Sequence, residues 1–195
     1  LFRLVGSEMC IRDRFKGNKH YVHDSGLKTG VLLTNLGTPD EPTTPSLKKY
    51  LRQFLSDGRV IETPKAIWWL ILNGIILNTR PAKSAKNYKS VWTEEGSPLL
   101  LYTKKQKELI KSHLDKKYSN LVFDIGMRYG NPSIKKGLNN LRNQNCDRIV
   151  VLPLYPQYCA ATTGSTFDAV SEELQQWRWV PSLRFIGSYY DQPLY

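Results

Sequence analysis

Residues 152–166, LPLYPQYCAATTGST, crowd two tyrosines (Tyr155, Tyr158), a thiol (Cys159) and a run of hydroxyls (Thr162, Thr163, Ser165, Thr166) into one short stretch. Two other stretches mix similar groups: NLGTPD at 35–40, with Thr38, and MRYGNP at 127–132, with Arg128 and Tyr129. Aromatic faces stack on flat molecules. A guanidinium and the N–H groups at a helix start hold carboxylates. Together these groups suit the retention of a large planar acid. Phosphate binding of the usual kinds is disfavoured, because the chain has neither a G-x-G-x-x-G turn after its first strand nor a G-x-x-x-x-G-K-[ST] loop.

The elements that must position these groups can be read from the apolar pattern. Short apolar runs at 30–37 (GVLLTNLG), 121–130 (LVFDIGMRYG), 148–155 (RIVVLPLY) and 183–190 (LRFIGSYY) read as buried parallel strands. Helical periods separate them. Thr44-Pro45 offers an N-cap with proline at the first helical position, followed by Leu47, Tyr50, Leu51, Phe54 and Leu55 on one face until Asp57-Gly58. Ile134, Leu138 and Leu141 mark a second helix. Phe167, Val170, Leu174 and Trp177 mark a third, opened by a Ser165–Asp168 capping pattern. An insertion of several helices lies between the first two strands. Strands alternating with helices predict an α/β fold, a four-stranded parallel sheet flanked by helices in the Rossmann-like manner. Ligands of such sheets sit beyond the carboxyl ends of the strands, which is where all three chemistry-bearing stretches fall.

Composition bounds the function without naming it. With 195 residues, 41% of them hydrophobic, the chain can bury a full core and reads as one globular domain. The formal net charge of +11 suits an anionic partner, although the lysines gather on helix faces such as KKQKELIK, apart from the aromatic rim. That separation counts against a nucleic-acid binder, which interleaves the two. Cys10, Cys146 and Cys159 are widely spaced and signal neither a disulfide framework nor a zinc site. The apolar stretch AIWWLILNGIILN at 66–78 is broken by Asn73 and Gly74, so no membrane span is expected. The expected compartment is the cytoplasm. The opening LFRLVGSEMCIRDR leads into no element, so residues 1–15 are set aside as a non-native or disordered terminus and the domain is taken as 16–195.

Five stretches in order, GVLLTNLGTPD, FLSDGRVIETP, YKSVWTEEGSPLL, GMRYGNPSI and LPLYPQYCAATTGST, resemble the ferrochelatase family, in its bacterial form, from about residue 16 onward. The resemblance implies insertion of ferrous iron into protoporphyrin IX, the last step of haem synthesis, in a cleft between two similar α/β domains. It implies that Leu36, Tyr88, Ser97, Arg128, Tyr129, Tyr155, Cys159, Thr163 and Thr166 line the porphyrin cleft. Cys159 departs from a position that is often serine. Iron is then a substrate; no resident metal, cofactor or iron–sulfur cluster is expected. In the family the proton-accepting His and a Glu belong to the second domain, in a motif like S-x-H-G-x-P that this sequence lacks. The expectation is therefore a first domain without catalytic residues of its own, inactive alone, whose partners are porphyrin, iron and the remaining domain.

Each residue also has an ordinary reading. His20 and His23 lack the carboxylates or thiols of a metal site, and His113 sits in a lysine-rich helix as a solvated side chain. Asp57-Gly58 and Glu95-Gly96 read first as turns. IWWLIL at 67–72 reads as core, with peripheral contact of Trp68 and Trp69 with the inner face of the membrane as its second reading. The rivals to the enzyme are a non-catalytic porphyrin- or anion-binding module and a cobalt or nickel chelatase acting on a related tetrapyrrole.

Overall fold

A computed structural model describes residues 15–17 and 28–194. Cys10, His20, His23 and most of the segment set aside as a terminus lie outside the described residues.

Four strands, β1 (Lys28–Thr38), β2 (Leu121–Gly130), β3 (Cys146–Pro153) and β4 (Ser182–Phe185), form one sheet in the order β2-β1-β3-β4. Every pairing is parallel. The α/β sheet read from the sequence is thus the observed one. Because Thr38 pairs with Gly130 and Thr34 with Pro153, the carboxyl ends of β1, β2 and β3 open onto one edge. The chain leaves β1 for one neighbour and later returns to the other. The sheet's topological switch therefore lies at β1, where a ligand crevice is expected.

Between β1 and β2 run α1 (Thr44–Leu55), α2 (Lys65–Ile71), α3 (Leu77–Val91) and α4 (Pro98–Leu114); a single wide π turn, Leu72–Ile76, joins α2 to α3. α5 (Ile134–Asn143) links β2 to β3, and α6 (Ser165–Leu174) links β3 to β4. Burying apolar side chains holds these layers together. Leu138 and Leu141 of α5, Val170 and Leu174 of α6, and Trp177 pack on Leu32, Ile149 and Val151 of the sheet. A second cluster gathers Leu47 and Tyr50 of α1, Ala85 of α3 and Tyr129 of β2. A third holds Leu55, Leu72 and Leu77, with Trp68 packed against it. The described N-terminal piece is tied to the domain by backbone bonds, since Lys16 N–H donates to Gln176 O at 2.7 Å and Arg178 N–H to Lys16 O at 3.0 Å.

Several local expectations change. Thr43, rather than Thr44, stands at the N-cap of α1, without a side-chain capping bond, and so Pro45 falls at the second helical position. β4 stops at Phe185 rather than near 190. It pairs with β3 from Ser182 to Phe185; Ile186 N–H still donates to Val151 O, and further on Tyr189 N–H donates to Pro156 O. The Ser165–Asp168 capping pattern does not form. α6 follows directly on a π turn, Ala160–Gly164, whose Gly164 N–H already bonds to Cys159 O, and both side chains are engaged by residues over a hundred positions away.

Candidate functional site

The close approach of β1 and β2 at their carboxyl ends depends on two glycines. Gly37 has φ +107°, and a Cβ there would fall 1.8 Å from Tyr129 O; Gly130 has φ +82°, with a Cβ 2.2 Å from Thr38 O. Only glycine satisfies both the positive φ and the contact. This packing brings Tyr129 beside Leu36 and sets Arg128 at the sheet's carboxyl edge.

Arg128 and Tyr129 are the centre of the site. The Arg128 guanidinium lies 4.7 Å from the centroid of the Tyr129 ring. Its Nε donates to Ser165 Oγ at 2.5 Å and its Nη2 to Asp57 Oδ2 at 2.6 Å. The Tyr129 hydroxyl donates to the same Asp57 oxygen at 2.8 Å, and Ser165 Oγ donates there too. Asp57 Oδ1 accepts the Arg59 amide at 2.8 Å. Burial alone would push the Asp57 carboxyl up, but the bonds from Ser165, Arg59 and Tyr129 and the Arg128 charge outweigh it and hold the group below its ordinary value. Burial pushes the Tyr129 phenol up to about 12, so it stays protonated and donates. Tyr129 is 1% exposed, its ring edge-on to Tyr50 and Phe54. It offers a hydroxyl rather than the stacking face expected of it.

The other expected cleft residues fall into two groups around this centre. Leu36 and Tyr88 are half-buried and pack on the cluster that contains Tyr129; Tyr88 lies 6.4 Å from Trp92. Ser97 is the N-cap of α4 but makes no side-chain capping bond. It lines two adjoining grooves of about 520 and 240 Å³, both of which also touch Thr38 and Trp92. On the other side, the Tyr155 hydroxyl lies 3.3 Å from Thr166 Oγ1. Burial raises the Tyr155 phenol, opposed by that bond and by the Arg128 charge. Thr163 is fully buried, and its hydroxyl has no partner among the described residues. Cys159 is an exposed free thiol whose carbonyl anchors the π turn. Tyr158 is exposed.

Sequence reasoning missed Asp57, which it took for a turn residue, and Trp92. Both lie within motifs already singled out, FLSDGRVIETP and YKSVWTEEGSP; the side-chain partners of Asp57 are far away in the chain, whereas Trp92 packs beside Tyr88 of its own motif. Of the two tryptophans expected to touch a membrane, only Trp69 is exposed, at 63%. Trp68 is a correction: it turns inward, and its Nε1 donates to Leu55 O at 2.6 Å. Ile67, Leu70 and Ile75 are exposed with Trp69. Among the described residues no helix is long and apolar enough to cross a membrane, and no group of three or more His, Cys, Asp or Glu could hold a metal ion.

The model of the family described as Ferrochelatase matches residues 28–195. The chain belongs to the ferrochelatase family. It is 55% identical over 183 residues to the Ferrochelatase of Thioalkalivibrio sulfidiphilus, covering 93% of this chain and 50% of that one. The Ferrochelatases of Hydrogenovibrio crunogenus and Alcanivorax borkumensis are 54% and 53% identical over 93% of this chain, which covers 49% and 53% of their lengths. The chain spans about half the length of the curated relatives it matches.

Proposed function

We propose that this chain forms one wall of a cleft in which ferrous iron is inserted into protoporphyrin IX, yielding protohaem. The observation that carries the reading is the family match over residues 28–195 together with relatives more than half identical, each named Ferrochelatase. The geometry is consistent with it. A groove floored by Thr38 and flanked by Ser97, Tyr88 and Trp92 offers an apolar and aromatic surface for a flat ring. Arg128 supplies a fixed guanidinium of the kind that pairs with a propionate. Tyr155, Cys159, Thr163 and Thr166 belong to the same wall.

Metallation of a porphyrin must remove two pyrrole protons and bring the metal to the ring face. The groups suited to the first task are an imidazole or a carboxylate near neutral pH. In this wall the Asp57 carboxylate is engaged by four donors of the protein and held ionised, and the phenols of Tyr129 and Tyr155 are held protonated. The proton-accepting His and Glu are assigned to the half of the relatives' length that this chain does not span. The role of this wall is to bind and orient the ring. If it fits a bent ring better than a flat one, it lowers the barrier in proportion. The exposed apolar group Ile67, Trp69, Leu70 and Ile75 supports a peripheral contact with a membrane surface, from which an apolar substrate would enter.

The test compares the full-length protein with residues 16–195, following porphyrin fluorescence and iron insertion by absorbance. Binding by both with turnover only in the full-length protein is the expected result. Absence of porphyrin binding by the full-length protein overturns the reading.

A further inference from the structure

We propose that Asp57 is a positioning residue: it fixes the Arg128 guanidinium in the orientation that meets the acidic ligand, and it does so before the ligand arrives. The inference rests on the reading of the cleft given above and adds to it a residue with no contact of its own to the substrate.

The argument begins with how fully Asp57 is used. Its side chain is 6% exposed. One carboxylate oxygen takes Arg128 Nη2, the Tyr129 hydroxyl and Ser165 Oγ; the other takes the Arg59 amide. A carboxylate has about four acceptor sites in all, so most of this capacity is taken up by the protein's own donors. Its charge is spent inside the protein, on partners from three separate segments.

Arg128 is used only in part. A guanidinium has five N–H donors; Asp57 and Ser165 engage one on Nη2 and the one on Nε. The Tyr129 ring supports one face of the group. A fifth of the side chain remains accessible. An arginine loses much rotamer freedom when a ligand immobilises it. Held at two points and on one face, Arg128 has already lost it. Asp57 is itself held: Arg59, two positions on, forms a two-point ion pair with Asp168 of α6, and Ser165 is the first residue of α6. The turn after α1, the end of β2 and the start of α6 thus lock one another, with Arg128 at the junction.

The test uses the full-length protein with Asp57→Asn, Arg128→Lys and the double variant. Side-chain NMR of the arginine guanidinium reports positioning without any substrate. The wild type should show separate Nη resonances for Arg128, assigned by their loss in Arg128→Lys, and Asp57→Asn should merge them through free rotation. With porphyrin and iron, at a temperature where the variant remains folded, Asp57→Asn should lower kcat by about ten- to a hundred-fold. The same change in the Arg128→Lys background should cost no more than about two-fold. Should Asp57→Asn not fold, Ser165→Ala, which removes the Nε contact, carries the same comparison.

Resolved Arg128 resonances in Asp57→Asn, or a full loss of kcat from it in the Arg128→Lys background, would overturn the proposal. A wild type that does not metallate porphyrin removes the cleft reading instead. In that case the NMR comparison still decides whether Asp57 positions Arg128.

Discussion

Trp177 Nε1 donates to Glu173 Oε1 at 3.1 Å, so the indole that closes the core beneath α6 is tied to a carboxylate only 3% exposed. Lys16 Nζ and Asn139 Nδ2 reach the same oxygen at 3.0 Å each. Glu173 therefore joins the N-terminal segment, α5 and the turn after α6. Glu173→Ala leaves the buried indole donor without a partner, while Asn139 Nδ2 keeps only its bond to Lys135 O. The expected cost is about 1–3 kcal/mol, read from the shift of the urea unfolding midpoint.

Acid should weaken the fold through the same kind of group. Burial pushes the Glu173 carboxyl up, but the bonds from Trp177, Lys16 and Asn139 and the Lys16 charge hold it below its ordinary 4.5. Asp57 is held below its ordinary 3.8. Both are more acidic folded than unfolded, so their stabilisation is present in full above the ordinary values and is lost as pH falls through the folded ones. Unfolding midpoints should be flat from pH 7 to about 5 on this account and then fall below pH 4.5. The Glu173→Gln and Asp57→Asn variants should show a shallower fall than the wild type.

The closure of β1 on β2 can be tested at one atom. Gly37→Ala places a methyl 1.8 Å from Tyr129 O at a φ of +107°. Neither strand can yield without breaking the ladder that aligns Leu36, Arg128 and Tyr129. A loss of at least about 2 kcal/mol is expected, read as a lowered melting temperature with loss of the near-ultraviolet tyrosine signal.

What could be read in advance and what could not divide along range in sequence. The strands at 121–130 and the helix carrying Ile134, Leu138 and Leu141 were legible because an apolar period is a local property, and those side chains are buried where the period put them. The family motifs likewise marked the carboxyl edge of the sheet. Ser165 and Asp168 were misread because their spacing fits a helix cap, whereas Asp57 and Arg59, over a hundred residues earlier, offer a carboxylate and a guanidinium that outcompete nearby amides. Tyr129 was read as a stacking face because an aromatic at a strand end has no local mark of burial; α1 supplies Tyr50 and Phe54 to cover it. Trp68 and Trp69 are adjacent in sequence, and only the packing of Leu55, Leu72 and Leu77 decides which of the two turns inward.

That division sets up a clean variant pair for the membrane proposal. Trp69 and Leu70 are 63% and 64% exposed and contribute to none of the three core clusters. Trp69→Ser and Leu70→Ser together should therefore leave the melting temperature nearly unchanged, within about 0.5 kcal/mol of stability per site. Sinking each side chain into a lipid surface would gain on the order of 1.5–3 kcal/mol. The double variant should thus bind vesicles at least about ten-fold more weakly in sedimentation, by the usual conversion of free energy to affinity. Trp68→Phe should do the reverse, lowering the melting temperature by removing the bond to Leu55 O while sparing vesicle binding. Equal vesicle binding by the wild type and the Trp69/Leu70 variant would remove this apolar group as the membrane contact.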